Sequence, residues 1–493
     1  MLGTEILYTA AQTRALDHCA IHDHKIPGIT LMSRAAEAAF RCLLEVWPQP
    51  PCLQVLCGTG NNGGDGFLIA DLAHKRGIPV TVLQVGDPGK IVGDALLARQ
   101  QVLANGVSIE VFGEAPLRPE GVVVDALLGT GLGGDVRGEY VQAIEAINRC
   151  GVPVLAVDIP SGLCSDTGRV LGSAVHADIT VTFIGLKRGL FTLQAPDYTG
   201  AVHFSDLAVP LEVYGAVPAN CSRLELDPLL ERLPIRPATA HKGLYGTVLV
   251  VGGDYGLAGA AALAAEAALR CGAGLVQVAT RPEHVAALVA RTPEVMPRGI
   301  TAVSDFMPML EAADVLVVGP GLGQSAWSTE LAQLALASGK PVVLDADGLN
   351  LLASGALGDV GKAANRVFTP HPGEAARLLS CATAGVQEDR FAAVHALQAR
   401  YGGVCILKGN GTLLSDGESL LLSDYGNPGM ASGGMGDVLS GVIGALLAQH
   451  LIPLEAAALG VCLHGAAADV AAGEGQRGLV ASDLIAPMRS LLS

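Results

Sequence analysis

The chain has 493 residues, of which half are hydrophobic and only 4% aromatic, and its formal net charge is −16 at pH 7. This length exceeds one ordinary hydrophobic core, so we expect two or three domains with cores of Ala, Val, Leu and Gly, as in α/β proteins. The acidic balance argues against nucleic acid and anionic membranes as general partners. A phosphate site would therefore depend on backbone N–H groups and a few cations.

The cysteines and the apolar runs bear on the compartment of the protein. The 11 cysteines are scattered and include no CxxC pair, which is typical of reduced thiols in the cytoplasm. Residues 1–14 lack the basic start and the apolar centre of a signal peptide. No uncharged apolar run reaches the length of a membrane span, and 438–449 comes closest. These patterns predict a soluble cytoplasmic protein with no membrane partner.

The first half of the chain begins with a helical region and then alternates strands with helices. Residues 8–46 predict two helices, with Thr9 as the cap of the first. The segment LQVLC at 53–57 predicts a strand, and GTGNNGGDG at 58–66 predicts a loop before the next helix. This alternation is typical of a parallel sheet with crossover helices.

Two further segments, 121–135 and 153–163, each combine a strand, an Asp at its carboxyl end and a loop. Ligands bind beyond the carboxyl ends of parallel strands, so we expect these loops and the loop at 58–66 to converge on one edge of the sheet. The polar side chains that they bring there are Asn61, Asn62, Asp65, Asp125, Asp135, Asp158 and Ser161.

Two glycine loops in this half, 58–63 and 129–134, match the GxGxxG pattern of nicotinamide dehydrogenases. Asn61, Asn62 and Asp65 crowd the first loop with oxygen atoms, which suit a hard cation better than a bare pyrophosphate. No set of residues elsewhere in the chain is arranged for hydride transfer. The dehydrogenase interpretation is therefore disfavoured.

Five prolines between residues 210 and 240 interrupt the alternation and mark a boundary. We predict a first domain over 1–215, a linker over 216–240 and a second α/β domain over 241–493. Strands of the second domain are predicted within 246–253, 275–280, 313–323, 341–350 and 404–416. The segment at 366–379 is predicted to turn through two prolines into a helix that Glu374 caps.

The segment GNPGMASGGMGD at 426–437 leads directly into an uncharged helical segment at 438–450. A glycine-rich turn at a helix N-terminus presents unpaired N–H groups and the positive end of the helix dipole, where phosphate binds. Asp437 at this point fits a general base for a hydroxyl that receives a phosphoryl group. The alternative is a helix cap in which Asp437 only complements the dipole. The chain has no Walker A lysine, so nucleotide binding here would follow the ribokinase type.

The order of these motifs resembles the bifunctional NAD(P)H-hydrate epimerase/dehydratase repair enzymes. The motifs are GTGNNGGDG, VDALLGTGL and VDIPSGL, followed by GPGLG, DADGLN, TPHPGE, LKGNGT and GNPGMASGGMGD, and they span essentially the whole chain. The resemblance implies a Rossmann-like parallel-sheet domain followed by a ribokinase-like α/β domain. It also implies that the first domain interconverts the R and S hydrates of NADH and NADPH, and that the second dehydrates the S form at the expense of ADP.

For the first domain, the resemblance implies one set of residues that bind the hydrate and one that binds a potassium ion. Asp158 would lie beside the nicotinamide ring and is the candidate for acid–base catalysis. The hydrate and its phosphates would be bound by Asn61, Asn62, Gly63, Gly64, Asp65, Gly129, Thr130, Gly131, Leu132, Gly133, Gly134, Asp135 and Asp158. The potassium ligands would be Asn62, Asp125 and Ser161. The carboxylates by themselves would equally allow magnesium. The structural alternative for Asp125 and Asp158 is a capping role in the turns that follow them.

For the second domain, the resemblance implies Asp437 as the base, with Ala260, Gly321 and His371 also in contact with the hydrate. Lys408 is a counter-charge for the transferred phosphate. The segments that would bind ADP, together with Mg²⁺, consist of Lys408, Gly409, Asn410, Gly411, Thr412, Asn427, Pro428, Gly429, Met430, Ala431, Ser432, Gly433, Gly434, Met435 and Gly436. Asp345 and Asp347 are further candidates, for magnesium or for the turn that contains them.

The implied partners are small molecules, namely the two hydrates and ADP, and we expect the chain to form homo-oligomers. One departure from the family pattern is Ser33-Arg34-Ala35-Ala36 after Leu31-Met32, where the family usually has an acidic residue and a glycine. Two rival functions remain: a small-metabolite kinase of the ribokinase type, which would release a phosphorylated product, and a dinucleotide-binding protein without catalysis.

Overall fold

The computed structural model describes residues 5–113 and 116–492. The prediction that there is no signal peptide rests on residues 1–14, and the first four of these lie outside the described residues. The chain divides into two compact units, one formed by 6–220 and the other by 221–493 together with the first five residues.

The N-terminal unit contains a sheet of seven strands in the order β4-β3-β2-β5-β6-β7-β9, all of them parallel. The order reverses between β2 and β5, and ligands bind at such switch points. A separate short pairing joins β1 to β8. The strands of this half are β1 Glu5–Tyr8, β2 Leu53–Cys57, β3 Val80–Gln84, β4 Ile109–Val111, β5 Val122–Ala126, β6 Val154–Val157, β7 Ile179–Phe183, β8 Leu186–Lys187 and β9 Ala201–Ser205.

The helices of the N-terminal unit cover both faces of its sheet with apolar side chains. They are α1 Ala10–His18, α2 Gly28–Val46, α3 Asn61–Lys75, α4 Gly93–Ala104, α5 Glu139–Arg149, α6 Pro196–Thr199 and α7 Leu211–Ala216. Thr9 caps α1 as predicted, because its hydroxyl accepts a hydrogen bond from Gln12 N. The predicted loop at 58–66 is wrong in its second half, since α3 already begins at Asn61. Gly63 allows this because its backbone packs directly on the Gly58 carbonyl.

The sheet of the C-terminal unit has the strand order β13-β12-β11-β14-β15-β16-β17-β18-β19-β10. Its strands are parallel except at the β17–β18–β19 meander, which is antiparallel. The strands are β10 Cys221–Arg223, β11 Thr247–Val251, β12 Leu275–Thr280, β13 Met296–Gly299, β14 Val315–Val318, β15 Val342–Leu344, β16 Arg366–Phe368, β17 Val404–Leu407, β18 Thr412–Ser415 and β19 Leu420–Ser423.

The helices α9, α17 and α18 contribute much of the apolar core of the C-terminal unit. The helices are α8 Leu226–Leu230, α9 Ala258–Arg270, α10 Val285–Arg291, α11 Val303–Ala312, α12 Ala326–Ala337, α13 Ala346–Ala353, α14 Pro372–Leu379, α15 Thr383–Glu388, α16 Arg390–Tyr401, α17 Met435–Ala448, α18 Pro453–Ala471 and α19 Ile485–Leu491. The small side chains of α9 let α17 approach closely, and this contact fixes where α17 begins.

The region predicted as a linker, 216–240, contains two elements of regular structure. Residues 221–223 form β10, which pairs in parallel with β19, and 226–230 form α8, which packs on the core of the C-terminal unit. The prolines of this region interrupt the α/β alternation, but Leu224, Leu226 and Leu229 are buried and tie the segment to that unit. The two units meet in sequence between Asn220 and Cys221.

One helical segment of the described chain, Pro453–Glu474, is long and apolar enough to cross a membrane by length and composition. The sequence analysis singled out 438–449 instead, which is shorter. Of the most apolar window of Pro453–Glu474, 72% is buried inside the protein. Core helices of water-soluble proteins pass the same test, so this segment is weak evidence for a membrane span.

Candidate functional sites

The loops after β2, β5 and β6 meet at the switch point of the N-terminal sheet. Asp125, at the end of β5, is fully buried and accepts hydrogen bonds from Ser161 N at 2.8 Å and Ser161 Oγ at 2.6 Å. Burial raises the pKa of Asp125 to about 6, although the bonds from Ser161 and Leu127 oppose this. Asn62 is 8% exposed, and neither polar atom of its amide has a hydrogen-bond partner among the residues that the structure describes. A buried amide without partners is costly unless a ligand or an ion completes it.

A cavity of about 570 Å³ opens at this edge of the sheet. Several predicted substrate-binding residues line it, namely Asn61, Asn62, Asp65, Gly129, Thr130, Gly131, Leu132, Gly133 and Asp158. Four others are not part of its wall: Gly63, Gly64, Gly134 and Asp135. Gly63 and Gly64 serve packing instead, because a Cβ on either would lie within 2.6 Å of Gly58 O or Met32 Sδ, respectively. Gly129 lies next to the catalytic candidate, since a Cβ there would be in van der Waals contact with Asp158 Oδ2 at 3.6 Å.

Asp158 follows β6 in a left-handed backbone conformation with φ of 68°. Such a conformation costs about 1–3 kcal/mol for a residue other than glycine and is concentrated at functional sites. Lys187, at the end of β8, donates a hydrogen bond to the Asp158 carboxylate. The same ammonium donates to Thr182 Oγ1 and to Phe183 O, both at 2.9 Å. Its three N–H groups are thus all used within the protein, so Lys187 fixes Asp158 and has no donor left for a substrate.

Two more carboxyl groups face the same cavity. Asp17 on α1 and Asp65 on α3 both line it, and neither has a hydrogen-bond partner within the described chain. Burial raises the pKa of Asp17 to about 6, with the Lys187 charge opposing and the Asp158 charge adding to the shift. Burial, followed by the charges of Asp158 and Asp17, raises the pKa of Asp65 well above its usual range. The carboxyl groups of Asp17, Asp65 and Asp158 thus lie around the buried ammonium group of Lys187.

In the C-terminal unit, the ends of β15 and β17 meet the N-terminus of α17. Asp345 is 1% exposed and accepts hydrogen bonds from Lys408 Nζ at 2.9 Å and Ser440 Oγ at 2.6 Å. Burial would raise the pKa of Asp345, but Lys408 and Ser440 hold it below its usual value. Burial by itself would lower the pKa of Lys408. The surrounding carboxylates, among which Asp345 has the largest effect, instead raise this pKa above its usual value. Both groups are therefore charged, and the ion pair holds the ammonium at the glycine loop.

The glycine stretch forms the start of α17. Gly434 is the N-cap with φ of 92°, and Asp437 lies in the first turn of the helix. A Cβ on Gly436 would lie 3.0 Å from Lys408 Nζ, so the ammonium faces the backbone of this turn. Burial, followed by the charge of Asp345, raises the pKa of Asp437 to about 7. Free N–H groups, a lysine and a carboxyl group that can take a proton near neutral pH thus lie together.

His371 and Glu374 stand at the start of α14, next to this cluster. Glu374 Oε2 accepts a hydrogen bond from His371 N at 2.8 Å, which confirms the predicted capping role of Glu374. Burial raises the pKa of Glu374 to about 7, against the charge of Lys408. Burial and the Lys408 charge lower the pKa of His371, so its exposed imidazole is neutral at neutral pH. A neutral imidazole at this edge can contact an uncharged ring or hydroxyl.

The loop after β14 connects the remaining predicted residues to this edge. A Cβ on Gly321 would lie 3.1 Å from Ala260 Cβ, so these two predicted positions are adjacent. In the same loop, Gly323 N donates a hydrogen bond to Asp347 Oδ2 at 2.8 Å. Asp347 therefore supports the loop after β14, and its predicted role at magnesium or in its own turn stays a prediction.

Two buried or anchored side chains brace the predicted ADP-binding segments. Arg390 is 1% exposed and donates hydrogen bonds to the carbonyls of Leu407, Lys408 and Gly411. Asp469 on α18 accepts hydrogen bonds from Gly426 N and from Asn427 Nδ2, both at 2.9 Å. Gly409 and Asn410, together with 431–433, remain exposed, so these segments offer backbone groups to a ligand.

Two family profiles match the chain, one in each half. The profile described as YjeF-related protein N-terminus matches residues 28–189, and the profile described as NAD(P)H-hydrate dehydratase matches 248–489. A protein of Coxiella burnetii named bifunctional NAD(P)H-hydrate repair enzyme Nnr is 47% identical over 490 residues, which is 99% of each chain. The protein of that name from Escherichia coli is 46% identical over 94% of this chain and 89% of its own. The chain belongs to the bifunctional NAD(P)H-hydrate repair enzyme family.

A solved structure supports the fold of the C-terminal half of this family member. A ribokinase-like superfamily protein from Enterococcus faecalis is 29% identical, with a TM-score of 0.51, over 55% of this chain and 95% of its own. The predicted fold, a parallel-sheet α/β domain followed by a ribokinase-like domain, is confirmed. The dehydrogenase interpretation of the GxGxxG loops is excluded by the family.

Sequence analysis of this repair enzyme missed several residues that the fold brings to the two sites. They are Asp17, Lys187, Arg390, Ser440 and Asp469. A signal existed for Lys187 and Arg390, since each is a cation next to an apolar segment that forms a buried strand or helix face, although Arg188 directly follows Lys187. Asp17 and Ser440 lie on predicted helices, where their orientation toward a site depends on tertiary packing, and no element was predicted around Asp469.

Proposed function

We propose that this chain repairs hydrated NADH and NADPH in two steps. The N-terminal unit interconverts the R and S hydrates, and the C-terminal unit dehydrates the S hydrate with consumption of ADP. The observation that carries the proposal is the arrangement of Lys408 and Asp437 at the glycine-rich start of α17. This arrangement supplies both a phosphate site and a base, as phosphoryl transfer to a hydroxyl requires.

For the dehydratase, each group at the start of α17 has a specific task. Asp437 takes the proton of the C6 hydroxyl as its oxygen attacks the terminal phosphorus of ADP. Lys408 and the free N–H groups of the turn neutralise the charge that develops on the phosphoryl oxygens. The C6 phosphate ester then leaves with its electron pair, and loss of a proton from C5 restores the C5=C6 double bond. AMP, phosphate and the reduced cofactor are the products.

For the epimerase, Asp158 is the group that moves a proton at the C6 carbinolamine. The loop at 61–65 and the loop at 129–135 would bind the hydrate, with the backbone of the second near its phosphates. Support comes from the cavity, which is lined by both loops and by Asp158, and from the Lys187 ammonium that fixes the carboxylate. The strained backbone at Asp158 is consistent with a position held for function.

Two ions are part of the proposal. Potassium would be held by Asn62, Asp125 and Ser161, an oxygen-rich donor set with a single carboxylate, which suits a weakly hydrated cation. The unpartnered amide of Asn62 supports this assignment. Within the described residues, no group of three or more His, Cys, Asp or Glu side chains forms a metal site. Mg²⁺ would arrive with ADP, where it neutralises phosphate charge.

The remaining assignments concern the whole chain. We propose that the epimerase corresponds to the N-terminal unit and the dehydratase to the C-terminal unit, and that the enzyme is cytoplasmic. All 11 cysteines are free in the structure, which supports a reducing compartment. Self-association stays a prediction.

The test uses purified protein, ADP and Mg²⁺ with a mixture of R and S hydrates of NADH. We expect the near-ultraviolet absorbance of the dihydronicotinamide ring to recover completely. With Asp158→Asn, recovery should slow to the uncatalysed rate once the S fraction is consumed. If neither ADP nor ATP gives recovery, but phosphate is transferred to another alcohol, the kinase interpretation replaces this proposal.

A further inference from the structure

The cavity of the N-terminal unit contains a second group placed for proton transfer. Asp17 lies on α1, before residue 28, where the matched family profile begins. It shares one face of the helical region with Thr13, Arg14 and Ile21, and all four residues line the cavity together with Asp158. The Asp17 carboxyl is partly exposed to this space and has no hydrogen-bond partner within the described chain. A carboxyl group in this setting is free to contact a bound molecule.

Epimerisation at C6 requires an acid and a base together. Carbon C6 carries both the hydroxyl and the ring nitrogen N1, so opening the ring removes a proton from oxygen and adds one to nitrogen. Asp158 is held as the base by the ammonium of Lys187. Because all three N–H groups of Lys187 are bonded within the protein, this lysine does not supply the proton to N1. The acid must come from another group in the cavity.

We propose that Asp17 is the catalytic acid of the epimerase and acts as the partner of Asp158. This inference rests on the proposed epimerase function of the N-terminal unit. Asp158 takes the hydroxyl proton, the C6–O bond becomes a carbonyl, and the C6–N1 bond breaks with its electron pair on N1. N1 takes the proton of Asp17. After rotation about C5–C6, N1 attacks the other face of the carbonyl, returns its proton to Asp17, and the oxygen recovers a proton from Asp158.

The charges around Asp17 support this assignment. The groups around the cluster are Asp65 on α3, Asp158 after β6, Lys187 on β8 and Cys57 on β2, and the same cavity is also lined by Arg14 on α1, Asp94 on α4 and Tyr140 on α5. Burial raises the pKa of Asp17 to about 6, close to the range in which a carboxyl group can both give and accept a proton. The pKa of Asp65 is raised further, so Asp65 holds its proton more firmly and is the poorer donor. Environments that separate the pKa values of neighbouring carboxyl groups commonly assign acid and base roles.

The test measures conversion of the R hydrate of NADH to the S hydrate by chromatography, without ADP, after subtraction of the uncatalysed rate. We expect Asp17→Asn to lower kcat by about 100-fold or more, with KM changed less than about threefold. Asp17→Glu, which keeps a carboxyl group, should retain part of the rate. The wild-type rate should fall as pH rises through about 6, where Asp17 loses its proton. This decline should be absent in Asp17→Asn.

Two controls separate catalysis from folding. Asp23→Asn replaces an exposed aspartate of the same helical region that does not line the cavity, and it should keep the wild-type rate. Asp17→Asn should keep the ADP-dependent dehydration of the S hydrate in the other unit. The inference is overturned if Asp17→Asn keeps kcat within about threefold of wild type, if only KM changes, or if the decline with pH persists. A wild-type chain that does not interconvert the hydrates overturns the proposed function itself.

Discussion

The Asp437 carboxyl lies in the first turn of α17 among Asp345, Asp347 and Glu374, with Lys408 as the neighbouring cation. Burial and these negative charges oppose its ionisation, while Lys408 favours it. The balance leaves a carboxyl group whose pKa is raised to about 7. A base of this kind is ionised in a useful fraction near neutral pH and is stronger than an ordinary aspartate. The Lys408–Asp345 ion pair keeps the phosphate-facing charge in place over the same pH range.

This balance predicts the pH dependence of dehydration. Asp437 acts in its ionised form, so kcat/KM for the S hydrate should rise with pH through about 7 and then level off. Initial rates at saturating ADP, measured over a series of pH values, give this rise in kcat/KM. Because the pKa of Glu374 is also raised to about 7, Glu374→Gln is the control: the rise with pH should persist and move only to somewhat lower pH, since the variant removes one of the charges that raise the pKa of Asp437. A midpoint near the ordinary aspartate value of about 4 would contradict the assignment of Asp437 as the base.

At the scale of elements, the position of α17 depends on its contact with α9. Both helices are rich in small residues, and Gly441 lies directly over the backbone of α9. A Cβ on Gly441 would lie 2.0 Å from the carbonyl oxygen of Ala264. No side-chain movement can relieve this contact, because the atom that it meets belongs to the backbone. The glycine therefore sets the distance between the helices and, with it, the position of the turn that carries Asp437.

We accordingly expect Gly441→Ala to lower the free energy of unfolding of the C-terminal unit by about 1–3 kcal/mol and to reduce dehydratase activity at least about tenfold. Epimerase activity of the same sample should remain. Gly385→Ala on α15 is the matched control, because its Cβ would meet no atom within 4 Å and its φ is negative. Chemical denaturation together with both activity assays provides the measurement. Equal behaviour of the two variants would show that the α9–α17 distance does not matter.

Sequence patterns predicted the strands and the loops after them, because apolar runs and glycine turns are local signals. They did not predict Lys187 at the centre of a site. The burial of Lys187 depends on the pairing of β8 with β1, in which Leu7 lies opposite Leu186. These two strands are far apart in the sequence, so no local pattern predicts that they pair. Sequence patterns also placed 58–66 in a loop, since the five glycines of this segment obscured the start of α3. The potassium and ADP assignments came from resemblance to a family, because spacing alone does not distinguish one hard cation from another.

At the scale of the whole molecule, each unit has its own sheet, its own apolar core and a complete candidate site. The residues proposed for the epimerase lie within 13–187, and those proposed for the dehydratase, together with the bracing Asp469, lie within 260–469. Within the described residues, all of those proposed for one activity belong to the same unit. The R and S hydrates are the metabolites that the two activities share, so the product of the first site must reach the second.

This separation predicts complementation between two inactive sites. Asp158→Asn alone should stop after the S hydrate is consumed, and Asp437→Asn alone should form no NADH. An equimolar mixture of the two variants with ADP, Mg²⁺ and both hydrates should restore full recovery of NADH absorbance, since a hydrate released by one chain can diffuse to another. The rate should approach about half that of the same total concentration of wild type, because each site is active in half of the chains. Recovery that still stops at the S fraction would show that the hydrate does not pass between chains, and that repair requires both sites in one molecule.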